Sequence, residues 1–350
     1  MRPTTLTFLT TFKCTAACKE CCFGCSPTIN SNQLNFLDIK TIIDQVKVEF
    51  PTLEVIVFSG GECFLLGDEL YKSIEYATSK GFKTRCVTNG FWGKSYNYAS
   101  QVAKKLKSIN LTEINFSTGD EHQEFVPISS VINAALSCAE NNLFTLITIE
   151  RHDHSNFSLD NLLSDRRIKN FLKKECSKNL HFMQNIWISF SNRKLAHNHL
   201  IDVQSTSNKK GCDQLFSNIT ITPNLEYACC CGLPLNYIKE LILGKIDKNL
   251  STYYKKSLKD FMKIWLFVDG PLGIINFMKK KFPELAIENN FAHECDACRY
   301  IYNNIYLKEK IRKIYQEIEN YVFFKYFLKN KRIENVINSS KINNKMRCTM

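Results

Sequence analysis

The cysteines of this chain are grouped in a way that indicates metal binding. Eleven of the sixteen lie in three groups, which are Cys14, Cys18, Cys21, Cys22 and Cys25, then Cys212 with Cys229, Cys230 and Cys231, then Cys295 with Cys298. No secretory signal is recognisable at the N-terminus, so we expect a cytoplasmic protein. In that reducing environment, clustered thiols bind metals or act in catalysis more often than they form disulfides.

The first group begins two residues after a predicted strand, Thr4–Phe12, and has the spacing C-x3-C-x2-C. Ligand sites in α/β folds gather at the carboxyl ends of strands. Three thiolates can bind three irons of a [4Fe–4S] cluster and leave the fourth iron open for another ligand. Zinc bound by C-x2-C pairs is the alternative. Two sets of residues have this spacing, the preferred Cys14, Cys18 and Cys21, and also Cys18, Cys22 and Cys25.

A glycine pair follows the second predicted strand, Leu53–Ser59. Gly60 and Gly61 let the backbone approach a bound ligand closely, and the carboxylate of Glu62 can accept hydrogen bonds from a ligand ammonium group. Alone, this tripeptide would more often be a tight turn. Because it lies one βα unit after the three-cysteine loop, it indicates a second part of the same site.

Short apolar runs alternate with amphipathic stretches of helical length. The predicted strands are Thr4–Phe12, Leu53–Ser59, Phe82–Thr88, Leu111–Ser117, Phe144–Ile149 and Ile186–Phe190. The predicted helices are Leu37–Phe50, Asp68–Lys80, Tyr96–Ser108, Ile128–Asn141 and Leu159–Lys174. This alternation predicts an α/β fold of βαβ units with a parallel sheet, arranged as a partial barrel or as an open doubly wound sheet.

From Thr4 to Phe190 these motifs resemble the radical S-adenosylmethionine superfamily, and Thr88-Asn89-Gly90 after the third strand is a further match. The resemblance implies a partial (β/α)6 barrel with a [4Fe–4S] cluster on Cys14, Cys18 and Cys21. S-adenosylmethionine would bind the open iron, and its amino group would contact Gly60, Gly61 and Glu62. Its reductive cleavage would yield a 5′-deoxyadenosyl radical that removes a hydrogen atom from the substrate. One departure is Glu20, where many members have an aromatic residue.

Polar residues near the later strand ends are further candidates for binding the cofactor. Asn89 follows the third strand, although Asn89-Gly90 could merely be a turn. Ser117 or Asp120 would contact the ribose, and His122 would face the substrate. Arg151 could pair with the carboxylate of S-adenosylmethionine through a bidentate contact, although a solvated surface arginine is the alternative.

The second and third cysteine groups are similar to the SPASM and Twitch extensions of this superfamily. Residues 219–232 look like a β-hairpin that brings its thiols back towards Cys212. The resemblance implies an auxiliary [4Fe–4S] cluster on Cys212, Cys230, Cys295 and Cys298, and zinc is the alternative. Of the three thiols Cys229, Cys230 and Cys231, a spare one could donate a hydrogen atom in catalysis or could be a buried apolar side chain.

Such auxiliary domains are common in radical S-adenosylmethionine enzymes that modify ribosomally made peptides. We therefore expect a peptide substrate, with epimerisation of a residue favoured and formation of a cross-link or thioether as the second candidate. An external electron donor of the flavodoxin or ferredoxin type would supply electrons. A zinc-stapled nucleic-acid-binding protein is the candidate from another functional class.

Composition and charge divide the chain into four parts. We expect a barrel over residues 1–201, a polar linker over 202–211, an auxiliary domain over 212–300 and a helical basic tail over 301–350. The net charge is +12, and from Arg299 onward twelve Lys or Arg stand against four Glu. A basic, aromatic tail can bind nucleic acid, but a helix with one packed face is the favoured interpretation. No apolar run reaches the roughly 18 residues of a membrane span, so no membrane partner is expected.

Overall fold

The structure is a computed structural model that describes residues 3–190, 195, 197, 200–204 and 211–347. Its centre is a sheet of nine strands. Six of these strands are parallel and adjacent in chain order, namely β1 (Thr5–Leu9), β2 (Val55–Ser59), β3 (Lys83–Thr88), β4 (Glu113–Thr118), β5 (Phe144–Arg151) and β6 (Leu180–Ile186). Every second residue of β1 and β2 is fully buried, including Phe8 and Phe58, whose rings stack at 5.8 Å.

Helices connect these strands, and they are α1 (Phe36–Glu49), α2 (Asp68–Ser79), α3 (Tyr96–Ser108), α4 (Asp120–Gln123), α5 (Ile128–Glu140), α6 (Leu159–Ser164) and α7 (Arg166–Phe171). Each longer helix buries one apolar face. In α3 the buried residues are Ala99, Val102, Ala103 and Leu106, which share one side of the helix. The parallel strands and their helices confirm the predicted partial (β/α)6 barrel.

Two predicted elements were wrong in their bounds. The sixth strand ends at Ile186, where the apolar run Ile186–Phe190 was expected to begin it. The real strand, LHFMQNI, mixes polar with apolar residues, so a search for apolar runs missed it. The predicted helix Leu159–Lys174 is divided at Asp165, whose backbone is extended and whose carboxylate accepts a hydrogen bond from the Arg167 amide.

Five short strands complete the described β-structure, namely β7 (Ile201–Asp202), β8 (Asn218–Ile221), β9 (Glu226–Ala228), β10 (Ile242–Lys245) and β11 (Asn290–Phe291). β8 pairs in parallel with β1, while β9 and β10 continue the sheet in antiparallel fashion. β7 and β11 form a separate pair. The central sheet therefore continues across the predicted boundary at 202–211, and residues 205–210 of that predicted linker lie outside the described residues.

The last helices are α8 (Leu250–Ser257), α9 (Phe261–Lys281), α10 (Glu294–Asn303) and α11 (Ile305–Arg347). The basic tail is therefore helical, and α11 buries Leu307, Ile311, Ile314, Ile318 and Val322 as it packs on α9. Among the described helices, α9 alone is long and apolar enough to suit a membrane span. Most of that apolar window, 83%, is buried inside the protein, as is typical of a core helix.

Candidate active site

The carboxyl ends of the parallel strands and the loops that follow them surround a cavity of about 230 Å³. The cysteine loop after β1, the glycine pair after β2 and the ends of β3 and β4 all contribute to its wall. The site residues from the sequence that line it are Cys14, Cys18, Cys21, Gly60, Gly61, Asn89 and Ser117. The fold thus gathers residues from four strand ends around one space.

Backbone hydrogen bonds hold the cysteine loop against the glycine pair. The Gly61 amide donates to the Thr11 carbonyl at 2.7 Å, and the Glu62 amide donates to the Lys13 carbonyl at 3.0 Å. Gly60 has a φ of +124°, which disfavours any side chain. A Cβ on Gly61 would lie 2.1 Å from the Lys13 carbonyl oxygen. Glycine is therefore required here because the two loops touch through their backbones.

Asn89 ties the end of β3 to the same cysteine loop. Its Nδ2 lies 3.5 Å from the Cys14 sulfur and 2.9 Å from Thr15 Oγ1, to which it donates. Its Oδ1 accepts a hydrogen bond from the Phe91 amide at 3.0 Å. The side chain of Asn89 thus positions a cysteine as well as lining the cavity.

Both possible sets of three cysteines line the first cavity, because all five thiols of the loop face it. The strongest electrostatic effects of other side chains on the Cys18 sulfur come from Cys21 and Cys14. The Cys25 thiol instead donates to the Cys21 sulfur and so lowers the pKa of Cys21 to about 6. Burial raises the pKa of Cys14 to about 11 and that of Cys18 to about 12. Cys25 is thus a neighbour that supports Cys21, and the set of Cys14, Cys18 and Cys21 stays a prediction.

Glu62 is fully buried and does not line the cavity. Its carboxylate accepts hydrogen bonds from Thr88 Oγ1 and the Asn89 amide, both at 2.8 Å, and from the Phe64 amide at 3.1 Å. Burial raises its pKa to about 7 in spite of these donors. In this structure Glu62 joins the loops after β2 and β3, whereas the sequence interpretation had it touch the amino group of the cofactor.

Two other predicted cofactor ligands point elsewhere. Both carboxylate oxygens of Asp120 accept backbone hydrogen bonds, from the amides of Asn156 and Phe157 at 2.7 and 2.8 Å. Arg151 Nη1 donates to Gln184 Oε1 at 3.2 Å on the exposed side of β5 and β6. Neither residue lines the cavity. Position after a strand was their only signal, and it does not determine where a side chain turns.

A second cavity, of about 240 Å³, is lined by four of the remaining grouped cysteines, which are Cys212, Cys230, Cys295 and Cys298. The β8–β9 hairpin delivers Cys230, and α10 carries Cys295 and Cys298 one turn apart. The Cys229 sulfur turns away and donates to the Leu241 carbonyl at 3.3 Å, whereas Cys231 is half-buried and contacts Gln214 at 3.5 Å. The hairpin therefore separates three consecutive thiols into three environments.

The donor chemistry of both cavities fits iron–sulfur clusters. Among the described residues, no three His, Cys, Asp or Glu side chains converge on a single ion position. The thiolates of a cluster bind different irons and need not converge, whereas zinc ligands all lie about 2.3 Å from one point. Five thiols line the first cavity and four line the second, so each cavity offers at least the three or four thiolates that a [4Fe–4S] cluster uses.

Comparison with known proteins supports this geometry. No family model matches the chain. YydG of Bacillus subtilis (strain 168), a candidate peptide biosynthesis protein, is 22% identical over 319 residues, which are 88% of this chain and 94% of YydG. Among solved structures, hexahistidine-tagged anSMEcpe with bound AdoMet is 13% identical, with a TM-score of 0.52 over 88% of this chain and 98% of that one. Native anSMEcpe with AdoMet and the Kp18Cys peptide is also 13% identical, with a TM-score of 0.51 over 91% and 99%.

The chain thus shares its fold with these two AdoMet-bound structures. The barrel also places three residues that the sequence left without a role. Glu150 at the end of β5 and Trp187 after β6 line the first cavity. Glu20, at the position of the family's aromatic residue, accepts a hydrogen bond from the Phe190 amide at 2.6 Å.

His122 lines the first cavity, as the sequence interpretation required of a residue that faces the substrate. Its ring meets that of Trp187 edge to face at 5.3 Å. Burial lowers the pKa of His122 to about 4, so the imidazole is neutral at pH 7. The strand-end position of Glu150 was a signal that could have been used, but Trp187 lay in a run assigned to the wrong element.

Proposed function

We propose that Cys14, Cys18 and Cys21 hold a [4Fe–4S] cluster and that the first cavity binds S-adenosylmethionine. The observation that carries this proposal is that the thiols of the cysteine loop, these three among five, and two glycines line one cavity at the strand ends. When bound, the cluster and S-adenosylmethionine together supply a 5′-deoxyadenosyl radical upon one-electron reduction. The AdoMet named for anSMEcpe, which has the same fold, supports this assignment.

The chain's own residues set the position and polarity of this site. The backbone of Gly60 and Gly61 allows close approach of the methionine part, and the Ser117 hydroxyl is available to the ribose. Glu62 acts indirectly, because it accepts a hydrogen bond from the amide of Asn89, whose side chain lies against Cys14. The neutral His122 and the rings of Trp187 and Phe190 form the side of the cavity that we assign to the substrate.

Cys212, Cys230, Cys295 and Cys298 are proposed to hold an auxiliary [4Fe–4S] cluster in the second cavity. Of the three consecutive cysteines, Cys230 is the one that lines this cavity, which supports its choice as the ligand. Four thiolates also suit zinc, so metal analysis decides between the two.

The proposed substrate is a peptide, and the proposed reaction is epimerisation of one of its residues. The peptide biosynthesis role in the name of YydG and the peptide in the anSMEcpe complex support the substrate class. Epimerisation needs a hydrogen atom removed on one face of Cα and another returned on the opposite face. Cys231 suits the return step, because its thiol is half-buried and lies outside the second cavity, so no cluster there would occupy it.

The return of a hydrogen atom to the peptide requires one electron and one proton from outside the site, and a low-potential electron donor supplies the electron. The Cys231 S–H bond breaks homolytically, and its hydrogen atom forms the new Cα–H bond of the peptide radical. The sulfur is left as a thiyl radical, which one electron and one proton restore to the thiol. A flavodoxin- or ferredoxin-type protein would supply that electron, as it does for the first reduction.

Metal analysis tests the two cluster assignments. We expect about eight irons per anaerobically reconstituted chain, at four per cluster, and about four in a variant with Cys14, Cys18 and Cys21 changed to Ala. The wild type should also form 5′-deoxyadenosine from S-adenosylmethionine and dithionite. A colourless, zinc-loaded protein that forms none would refute the radical chemistry and leave the basic tail as a candidate nucleic-acid-binding element.

A library of short random synthetic peptides in D₂O tests the reaction. Epimerised peptides should gain one deuterium from the exchanged Cys231 thiol and contain a D-residue after hydrolysis. Cys231→Ala should form 5′-deoxyadenosine without deuterated product, and Cys229→Ala is the matched control that should behave like wild type. Products two mass units lighter would instead indicate a cross-link or thioether.

A further inference from the structure

The inner face of the barrel carries polar residues deeper than the first cavity. Val87 of β3 and Ser117 of β4 line the cavity, and side chains two residues apart on a strand share a face. Arg85 therefore lies on this inner face below Val87, and Asn115 lies below Ser117. Each is two residues, or about 7 Å, further down its strand. The register pairs Arg85 with Glu113 and Val87 with Asn115, so Arg85 and Asn115 are diagonal neighbours.

The guanidinium of Arg85 is held in place but is not fully paired. Its Nη2 donates to Glu113 Oε2 at 2.7 Å, which neutralises the charge across the two strands. Its Nε is buried and has no hydrogen-bond partner among the described residues. Asn115 Oδ1 is likewise buried without a partner in that part of the chain. Buried polar atoms are nearly always hydrogen-bonded in folded proteins, so a missing partner indicates a bound molecule or water.

One orphaned donor beside one orphaned acceptor is the complement of the C=O and N–H of a single residue in an extended peptide, because these two groups point to the same side of the chain. We propose that Arg85 Nε donates to a backbone carbonyl, and Asn115 Oδ1 accepts from a backbone amide, of the peptide substrate. Glu113 is the positioning residue that orients the guanidinium. This inference rests on the proposed function for its substrate class, and it places a stretch of substrate backbone one layer below the first cavity.

Three variants test this binding site. Arg85→Lys keeps the charge for Glu113 but removes the Nε donor, and Asn115→Leu removes the acceptor with little change of volume. Arg167→Lys is the matched control, because Arg167 has the same exposed fraction of side chain, 40%, and a similar ion pair to Asp165 at 2.9 Å. The probe is the library of short random synthetic peptides, and retention on immobilised, reconstituted protein is measured by mass spectrometry.

We expect the retained peptides to bind each of the two site variants about tenfold or more weakly than wild type, and to bind Arg167→Lys equally well. Formation of 5′-deoxyadenosine without peptide should stay within about twofold of wild type in all three. Equal retention by wild type, Arg85→Lys and Asn115→Leu, or no retention by wild type, overturns the peptide site. Absence of 5′-deoxyadenosine from wild type overturns the proposed function. The peptide site is then tested separately, by the retention of peptides on the immobilised protein.

Discussion

Replacement of Gly61 by Ala should disable the active site with little loss of the fold. The added Cβ would lie 2.1 Å from the Lys13 carbonyl oxygen, and contacts shorter than 3.0 Å are essentially never observed. The backbone before Cys14 must therefore move by about 0.9 Å, the difference between these two distances. Overpacking of this kind costs about 1–3 kcal/mol of stability. Misplacement of a catalytic group by about 1 Å can reduce rates roughly 100-fold.

The assay is the rate of 5′-deoxyadenosine formation by anaerobically reconstituted protein, together with iron content and thermal unfolding. Gly61→Ala should lose about 10- to 100-fold in rate. Gly67→Ala is the control, because Gly67 has a φ of +57° but nothing within 4 Å of an added Cβ. Because its ψ of −128° lies outside the left-handed helical region, the substitution should cost about 1–3 kcal/mol in backbone strain and leave the rate unchanged. A Gly61→Ala protein with wild-type iron and rate, destabilised only as much as the control, would refute the reasoning.

Three further outcomes are expected. Glu62→Gln should lower the free energy of unfolding in urea by about 1–3 kcal/mol, because its amide would face a backbone donor; an unchanged value would contradict the three hydrogen bonds. Cys230→Ser should lose the auxiliary iron while Cys229→Ser keeps it, and equal iron in both would contradict the assigned ligand. Burial raises the pKa of Glu150 from 4.5 to about 7. The stability it contributes is thus present below pH 4.5 and lost as the pH rises towards 7. The melting temperature of Glu150→Gln should decline less over this range than that of wild type.

Local signals in the sequence were sufficient for the barrel and its cysteine loop. Alternating apolar runs and amphipathic stretches predicted five of the six strands close to their true bounds, because each run reflects burial along a single element. The C-x3-C-x2-C loop and Gly60-Gly61 could be placed because they follow strands directly. The directions in which the side chains of Asp120 and Arg151 turn could not be predicted, since each depends on a hydrogen-bond partner more than thirty residues away in the chain.

The inner-face residues had no sequence signal at all. Arg85 and Glu113 occupy strands in which charged residues would usually face solvent, and only the register of β3 and β4 brings them together. The parallel pairing of β8 with β1 was missed for a similar reason. It joins segments 213 residues apart, and short apolar strands give no indication of so distant a partner.

The position of β1 in the sheet has a consequence for how the protein is made. β1 lies between β2 and β8, and its β8 edge has no partner until Asn218–Ile221 has been synthesised. Unpaired strand edges attract other chains, and contacts of such long sequence separation form slowly. A nascent chain must therefore carry an open edge beside its first cysteine loop while most of the protein is still being translated. Premature termination before residue 218 would leave that edge open permanently, so truncated products should aggregate before any cluster is inserted.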